Sequence, residues 1–205
     1  FNGRVDGFFV AKYLSVARRI VPVSEKRPEG KEAPGGVPSN CRQGTGRNGP
    51  EIRACQPADA VEIARLYRQV FKTYPFPIDR PAYLKRMMKE GVRYFGIRIE
   101  GRLTAAAAAE IHRRDQNAEM TDFATLPCRR GKGLAGCLLR HMDEYVRTIG
   151  INTAFTIARA ASPGMNAVFR KNGYRFAGLL RNNTQISGKI ESMTVWYKQV
   201  HGCAG

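Results

Sequence analysis

Ten residues, Leu-Pro-Cys-Arg-Arg-Gly-Lys-Gly-Leu-Ala at positions 126–135, constrain the fold more than any other stretch. The segment before them, residues 118–125, reads as a strand, and Pro127 cannot donate to a sheet ladder and so ends it. From Leu134 an apolar face recurs at Leu138, Met142 and Tyr145, the spacing of an amphipathic helix that runs to about Thr148. Between strand and helix lies a basic loop with two glycines. Glycine lets the backbone approach a ligand closely, and the first N–H groups of a helix have no intrahelical acceptor. With the positive end of the helix dipole and with Arg129, Arg130 and Lys132, these groups form a cradle for a diphosphate.

The flanking pattern places this loop in the middle of an α/β domain. Residues 51–55 read as a short strand, and Asp59 stands ready to cap a helix with Ala60, Ile63, Ala64, Tyr67, Val70 and Phe71 on one face. Residues 74–78, Tyr-Pro-Phe-Pro-Ile, cannot be helical and make a rigid loop. Asp79 and Pro81 open a second helix that Gly91 ends. Residues 92–99 and 103–111 flank Glu100-Gly101, a hairpin signal. The alanines at 105–109 favour a helix on propensity alone, but the hairpin argues for strand. Beyond the loop and its helix come a strand (153–158), a helix (163–172) and two strands (175–180 and 190–197). No Lys-Ser/Thr pair ends the glycine loop as a P-loop requires, and no long parallel βαβ series supports a dinucleotide fold.

Texture divides the chain into four parts. Residues 1–22 hold one short apolar run, Gly7-Phe8-Phe9-Val10-Ala11, and read as the remnant of an N-terminal region; the start on Phe1 suggests a fragment. Residues 23–50, rich in Pro, Gly and charge, read as a flexible linker. Residues 51–198 form the domain proper and 199–205 a tail. The net charge of +17, from 34 Lys and Arg against 17 Asp and Glu, attracts polyanions without choosing among them. The basic residues are dispersed and lack an aromatic–basic stacking motif, which disfavours nucleic acid as a partner.

No apolar run approaches the roughly 18 to 20 residues that span a bilayer, and no secretory leader is recognisable. Five scattered cysteines without C-x-x-C spacing argue against a disulfide framework or a zinc site and for a reducing cytoplasm. His112, His141 and His201 show no metal spacing, so no metal is expected.

Arg130-x-x-Gly133-x-Ala135 resembles the R/Q-x-x-G-x-G/A signature of the GNAT acetyltransferases, and Asn166 with Gly173-Tyr174 resembles the family's second landmark. Longer strings are similar to one branch, the β-lysine N-acetyltransferases: YRQVF at 67–71, TYPFPI at 73–78, EMTDFATLP at 119–127 and TIARA at 156–160. NNT at 182–184, IESM at 190–193 and VWYK at 195–198 add to it, so the resemblance covers about residues 52–198. It implies an α+β fold with a mixed, mostly antiparallel sheet flanked by helices, and splayed strands holding acetyl-CoA as co-substrate. Leu126, Arg129, Arg130, Gly131, Lys132, Gly133, Leu134, Ala135 and Asn166 are the implied coenzyme residues. The implied reaction acetylates the ε-amine of β-lysine to make an osmolyte in the cytoplasm. The family also has an N-terminal portion, of which residues 1–20 are expected to be the last strand without its partners.

Acetyl transfer needs a neutral amine, yet a free ε-amine has a pKa of about 10.4, so a carboxylate must take a proton. Glu119, on the strand entering the coenzyme loop, is the first candidate, with Asp122 and Glu110 behind it. Asp122 sits three residues on and points to the opposite face of an ideal strand, unless a bulge reverses it. A backbone N–H of the splayed strand can stabilise charge on the thioester oxygen. The family's usual tyrosine acid is replaced by Phe169, leaving Tyr174 as a substitute. A β-lysine site needs anions for two ammonium groups and a cation for the carboxylate. Tyr74 and Phe76 would cover the acceptor, Arg159 would pair its carboxylate, and Glu110 and Glu191 its ammonium groups. Three alternatives stay open: another small amine, polyamine or protein lysine as acceptor, a non-enzymatic basic module that binds nucleic acid, or a degenerate copy. The assembly state, a homodimer included, is open as well.

Overall fold

The computed structural model describes residues 50–200; expectations for residues 1–49 and 201–205 lie outside them. Seven strands and four helices follow in the order β1 (Glu51–Ala54), α1 (Ala60–Val70), α2 (Pro81–Lys89), β2 (Arg93–Ile99), β3 (Arg102–His112), β4 (Asn117–Thr125), α3 (Leu134–Thr148), β5 (Thr153–Arg159), α4 (Pro163–Lys171), β6 (Arg175–Ile186) and β7 (Lys189–Gln199). They form one sheet of order β1-β2-β3-β4-β5-β7-β6. Every pairing is antiparallel except β4 with β5, which is the mixed sheet expected.

The alanine run is strand because two constraints outweigh its helical propensity. Glu100 and Gly101 take φ of 53° and 75°, the two positive values of a tight hairpin turn, and so return β3 along β2. Ala105 to Ala109 are also fully buried on both faces, their small side chains leaving room for helices above and below. Ala105, Ala107 and Ala109 face a core shared with α3 and α4; Ala106 and Ala108 face one shared with α1 and α2. Each large side chain buried there, such as Ile63 or Leu138, contributes roughly 1.5–3 kcal/mol.

Several boundaries differ from the sequence reading. Phe71 lies beyond α1 in extended conformation. Asp59 precedes α1 but does not cap it with its side chain. Its carboxylate accepts instead from the Gln56 N–H, from Arg53 and from Arg98, which hold it well below the usual carboxylate range. The last hairpin is longer than expected. β6 runs on to Ile186, and Ser187 and Gly188 (φ 56° and 81°) turn it into β7. Cys55 and Cys128 are free thiols.

Candidate active site

The parallel join between β4 and β5 is short. Asn117, Ala118 and Glu119 pair with Thr153, Ala154 and Phe155, and pairing stops there. Past that point the two strands diverge, because β4 must deliver the chain into the glycine loop while β5 stays paired with β7 to Arg159. The wedge opens into a cleft of about 560 Å³. Along one side it is lined by Arg129, Arg130, Gly131, Gly133, Leu134 and Ala135.

Those loop residues fit a diphosphate. The amide groups of residues 131–136 donate to no backbone carbonyl and no side chain among the described residues. Gly131 and Gly133 adopt φ of 77° and 75°, and a Cβ built on either meets nothing within 4 Å, so the cradle faces open space. Only the next amide, that of Cys137, bonds back, to the Gly133 carbonyl. Six bare donors, a helix dipole and two arginines suit a doubly charged anion. Leu126 and Lys132 are not on the cleft wall; the Leu126 N–H is committed to the Thr104 carbonyl, closing the end of β4 against β3.

Asn166 takes a different part from the one expected. Its side-chain amide donates to the carbonyls of Arg159 and Ser162, and its oxygen accepts from Thr194 and from the Trp196 indole. With all four positions filled and only 6% exposure, it ties α4 to β5 and β7 and has nothing left to offer a coenzyme. Tyr174 is likewise corrected. Its hydroxyl donates to Asp143, which Lys198 also holds, and it is absent from the cleft wall. Phe169 lines the cleft there, packed edge-on against Phe123.

The carboxylates converge. In the β3–β4 register Ala106 meets Ala124 and Ala108 meets Thr121, so Asp122 and Phe123 together oppose Ala107. This bulge, with Asp122 at φ 56°, inverts the alternation beyond it. Ala118 and Met120 face the α3 core, Ala124 the α1 core, and Glu119 and Asp122 come to share the α1 face. Tyr74 donates a 2.6 Å hydrogen bond to Asp122, which lines the cleft. Burial pushes Asp122 up to about 6, opposed by the Tyr74 bond and aided by repulsion from Glu110. Glu119, directly across from Glu110, is pushed up to about 7 by burial first and then by Glu110 and Asp122. Among the described residues its carboxylate has no hydrogen-bond or ion-pair partner, and neither Glu119 nor Glu110 is on the cleft wall.

Arg159 and Glu191, expected at opposite ends of a substrate, bind each other. Arg159 donates through Nε and Nη2 to the two Glu191 oxygens at 2.6 and 2.7 Å, and Glu191 is 1% exposed. Glu191 therefore has no room for an ammonium group, while Arg159 lines the cleft. Phe76 is 59% exposed and stands off the cleft wall. Sequence reasoning gave no site role to Thr73, whose hydroxyl accepts from the Gly188 N–H, nor to the hairpin residues Ile186 and Ser187 on the cleft wall. The Ser-Gly pair was the available signal.

A sheet split between its fourth and fifth strands, with a bare-amide loop at the split, defines an acyl-coenzyme-type transferase. The chain belongs to the acetyltransferase (GNAT) family, whose model matches residues 60–174, and it is an acetyltransferase. It is 35% identical over 193 residues to the β-lysine N(6)-acetyltransferase of Methanococcus maripaludis, covering 94% of this chain and 70% of that protein. It is 36% identical over 149 residues to the β-lysine N(6)-acetyltransferase of Methanosarcina mazei (73% of this chain, 55% of that one). The N-acetyltransferase YodP of Bacillus subtilis is 38% identical over 149 residues (73% and 54%). The chain thus spans about half the length of these last two relatives.

Among solved structures, the fold matches the ribosomal-protein-S18-alanine N-acetyltransferase of Escherichia coli (TM-score 0.66, 17% identity, 76% of this chain and 96% of that one). It also matches yncA of Salmonella typhimurium, a structure with its cofactor acetyl-CoA (TM-score 0.63, 16% identity, 76% and 96%). At these identities the likeness is one of fold. Among the described residues no helix is long and apolar enough to cross a membrane, and no cluster of metal-ligating side chains occurs.

Proposed function

We propose that this enzyme acetylates the ε-amine of β-lysine. The observation that carries the reading is Asp122 on the cleft wall, backed by the partnerless Glu119 carboxylate, which feels both Asp122 and Glu110. Such a group of acids attracts a dication and gives it a proton acceptor. The likeness to two β-lysine N(6)-acetyltransferases points the same way.

Acetyl-CoA, when bound, supplies the activated acyl group. Amides 131–136 with Arg129 and Arg130 would hold its diphosphate. Asp122, kept ionised by the Tyr74 bond, anchors the incoming ammonium. Glu119, with a pKa of about 7, accepts the proton directly or through water, because a base works best when its pKa lies near the ambient pH. Backbone N–H groups on the unpaired edge of β4 face the developing oxyanion. Arg159 still has Nη1 free of Glu191 and takes the substrate carboxylate. Acetylation removes the one uncompensated ammonium of β-lysine and leaves a net-neutral zwitterion. Such a product suits accumulation in the cytoplasm as an osmolyte.

The test is a steady-state comparison of β-lysine, α-lysine, cadaverine and spermidine with acetyl-CoA, products identified by mass spectrometry. β-Lysine is expected to give the highest kcat/KM, with the acetyl group on the ε-nitrogen. A higher value for a substrate without a carboxylate would overturn the assignment.

A further inference from the structure

Phe169 lines the cleft where a tyrosine acid was expected, and Tyr174 is committed to Asp143. The charge that gathers on the leaving sulfur must therefore be met in another way. The join between β4 and β5 shows where. Pairing ends at Glu119 with Phe155, and Met120 and Thr156 are the first residues past it, both on the cleft wall. They stand at the narrow end of the wedge. A thioester whose diphosphate lies on the loop at the wide end extends its acyl end toward them.

Thr156 is the polar exception at that end. Side chains alternate along β5, and Ala154 and Ala158 both pack in the α3 core, so Thr156 shares a face with Met120, Phe123 and Phe169. The residue is 2% exposed, yet its hydroxyl has no hydrogen-bond partner among the described residues. Its oxygen is open to the cleft, since among the described side chains only the Tyr67 hydroxyl is both sealed and unbonded. A buried hydroxyl seldom goes unbonded, and one that does marks the place of a ligand or a water. The other hydroxyls on the wall are employed or distant. Those of Tyr74 and Thr121 bond Asp122, and Thr125 and Ser162 lie at the wide end, where β4 stops and α4 starts.

We propose that Thr156 is a further catalytic residue, whose hydroxyl donates to the coenzyme sulfur and stabilises the thiolate as it leaves. Glu119 takes one proton from the ammonium. The freed nitrogen forms its bond to the carbonyl carbon, and the C–S bond breaks with its electron pair on sulfur. The Thr156 proton stays on oxygen, because an alcohol is less acidic than a thiol. It supplies a hydrogen bond that is stronger to the anion than to the neutral thioester, and so favours the transition state over the bound substrate. The second proton shed by nitrogen reaches sulfur through cleft water, which gives the free thiol. The inference concerns the sulfur end and does not depend on which amine is the acceptor.

The experiment uses the full chain with Thr156→Val, close in shape, and Thr156→Ser, which keeps the hydroxyl. No described group bonds that hydroxyl, so T156V strands no partner and is expected to fold, as thermal unfolding checks. The first readout needs no amine. It is the pKa of the bound CoA thiol, taken from the pH dependence of the calorimetric Kd with desulfo-CoA as the blank. That pKa should rise by about one unit or more in T156V and stay near the parent's in T156S. The second readout is the single-turnover rate of acetyl transfer to the best amine. It should fall about 10- to 100-fold in T156V and largely recover in T156S, with the Kd of acetyl-CoA within about threefold of the parent's. An unmoved thiol pKa in folded T156V would overturn the proposal, and so would a parent-like transfer rate. Another amine outrunning β-lysine would reject the proposed substrate and leave the part of Thr156 intact.

Discussion

The Tyr74 hydroxyl donates to Asp122 across 48 residues of chain, joining the rigid loop after α1 to the bulge in β4. Neither residue would serve the site alone. Without the bulge Asp122 would face α3, and without Tyr74 its buried carboxylate would lose the bond that favours its charge. Removing that bond with Tyr74→Phe should raise the Asp122 pKa above its present value of about 6. An increase of one unit corresponds to about 1.4 kcal/mol. The KM for the amine is expected to rise several-fold at pH 7 and to recover by pH 8.5, as read from the pH profile of kcat/KM.

Glu119→Gln removes the proposed proton acceptor but keeps the shape. We expect kcat/KM to fall by about 10²–10³ at pH 7, the usual worth of a general base. The loss should shrink toward pH 10, where the free amine deprotonates unaided. The parent's acid limb near the Glu119 pKa of about 7 should vanish with it. An unchanged rate at pH 7 would remove Glu119 from the chemistry.

The same two acids make stability depend on pH. Both have folded-state pKa values above their unfolded ones, from 4.5 to about 7 for Glu119 and from 3.8 to about 6 for Asp122. The folded state therefore holds protons more tightly, and their contribution falls as pH rises from about 4 to 7. Neutral pH is the less favourable side. E119Q should be more stable than the parent at pH 8, by about 1–3 kcal/mol, and no more stable at pH 4. Urea melts at the two pH values would show it.

Asn166 should matter for folding and little for coenzyme binding. Asn166→Ala strands the Trp196 indole N–H, whereas the Thr194 hydroxyl keeps the Ala158 carbonyl and the Arg159 and Ser162 carbonyls keep backbone N–H donors. About 1–3 kcal/mol is expected, the cost of one buried unsatisfied group. Thermal unfolding measures the loss. The acetyl-CoA Kd of the folded variant, taken at low temperature, should stay within about threefold of the parent's, a shift worth under 0.7 kcal/mol.

At the loop, Gly133→Ala places a side chain where φ is 75°, which costs a residue other than glycine about 1–2 kcal/mol. Its Cβ also enters the open space before the bare amides. Acetyl-CoA affinity should drop about tenfold or more by calorimetry, and Arg130→Ala should lower it less, with a weaker dependence on salt.

Much of this was legible in the sequence, because the signals were local. The strand-loop-helix around Gly133 and the Glu100-Gly101 turn are each fixed within a dozen residues. What was not legible depends on distant partners. The inverted alternation at Asp122 is set by the register with Ala107. Asn166 resembles a ligand-binding residue until Trp196, thirty positions on, takes its oxygen. Arg159 and Glu191 looked like two separate charges because nothing in the spacing of 32 residues shows that β5 and β7 place them side by side.

The join between β4 and β5 amounts to three residue pairs. Mechanically, the sheet is two leaves on a short hinge, β1 to β4 on one side and β5, β7 and β6 on the other. Anything lodged in the wedge acts as a temporary eighth strand, bonding to edges that otherwise face each other across a gap. Filling it should stiffen the whole molecule, so that amide exchange slows in Thr156 and Ala158 as well as in the loop that grips the anion.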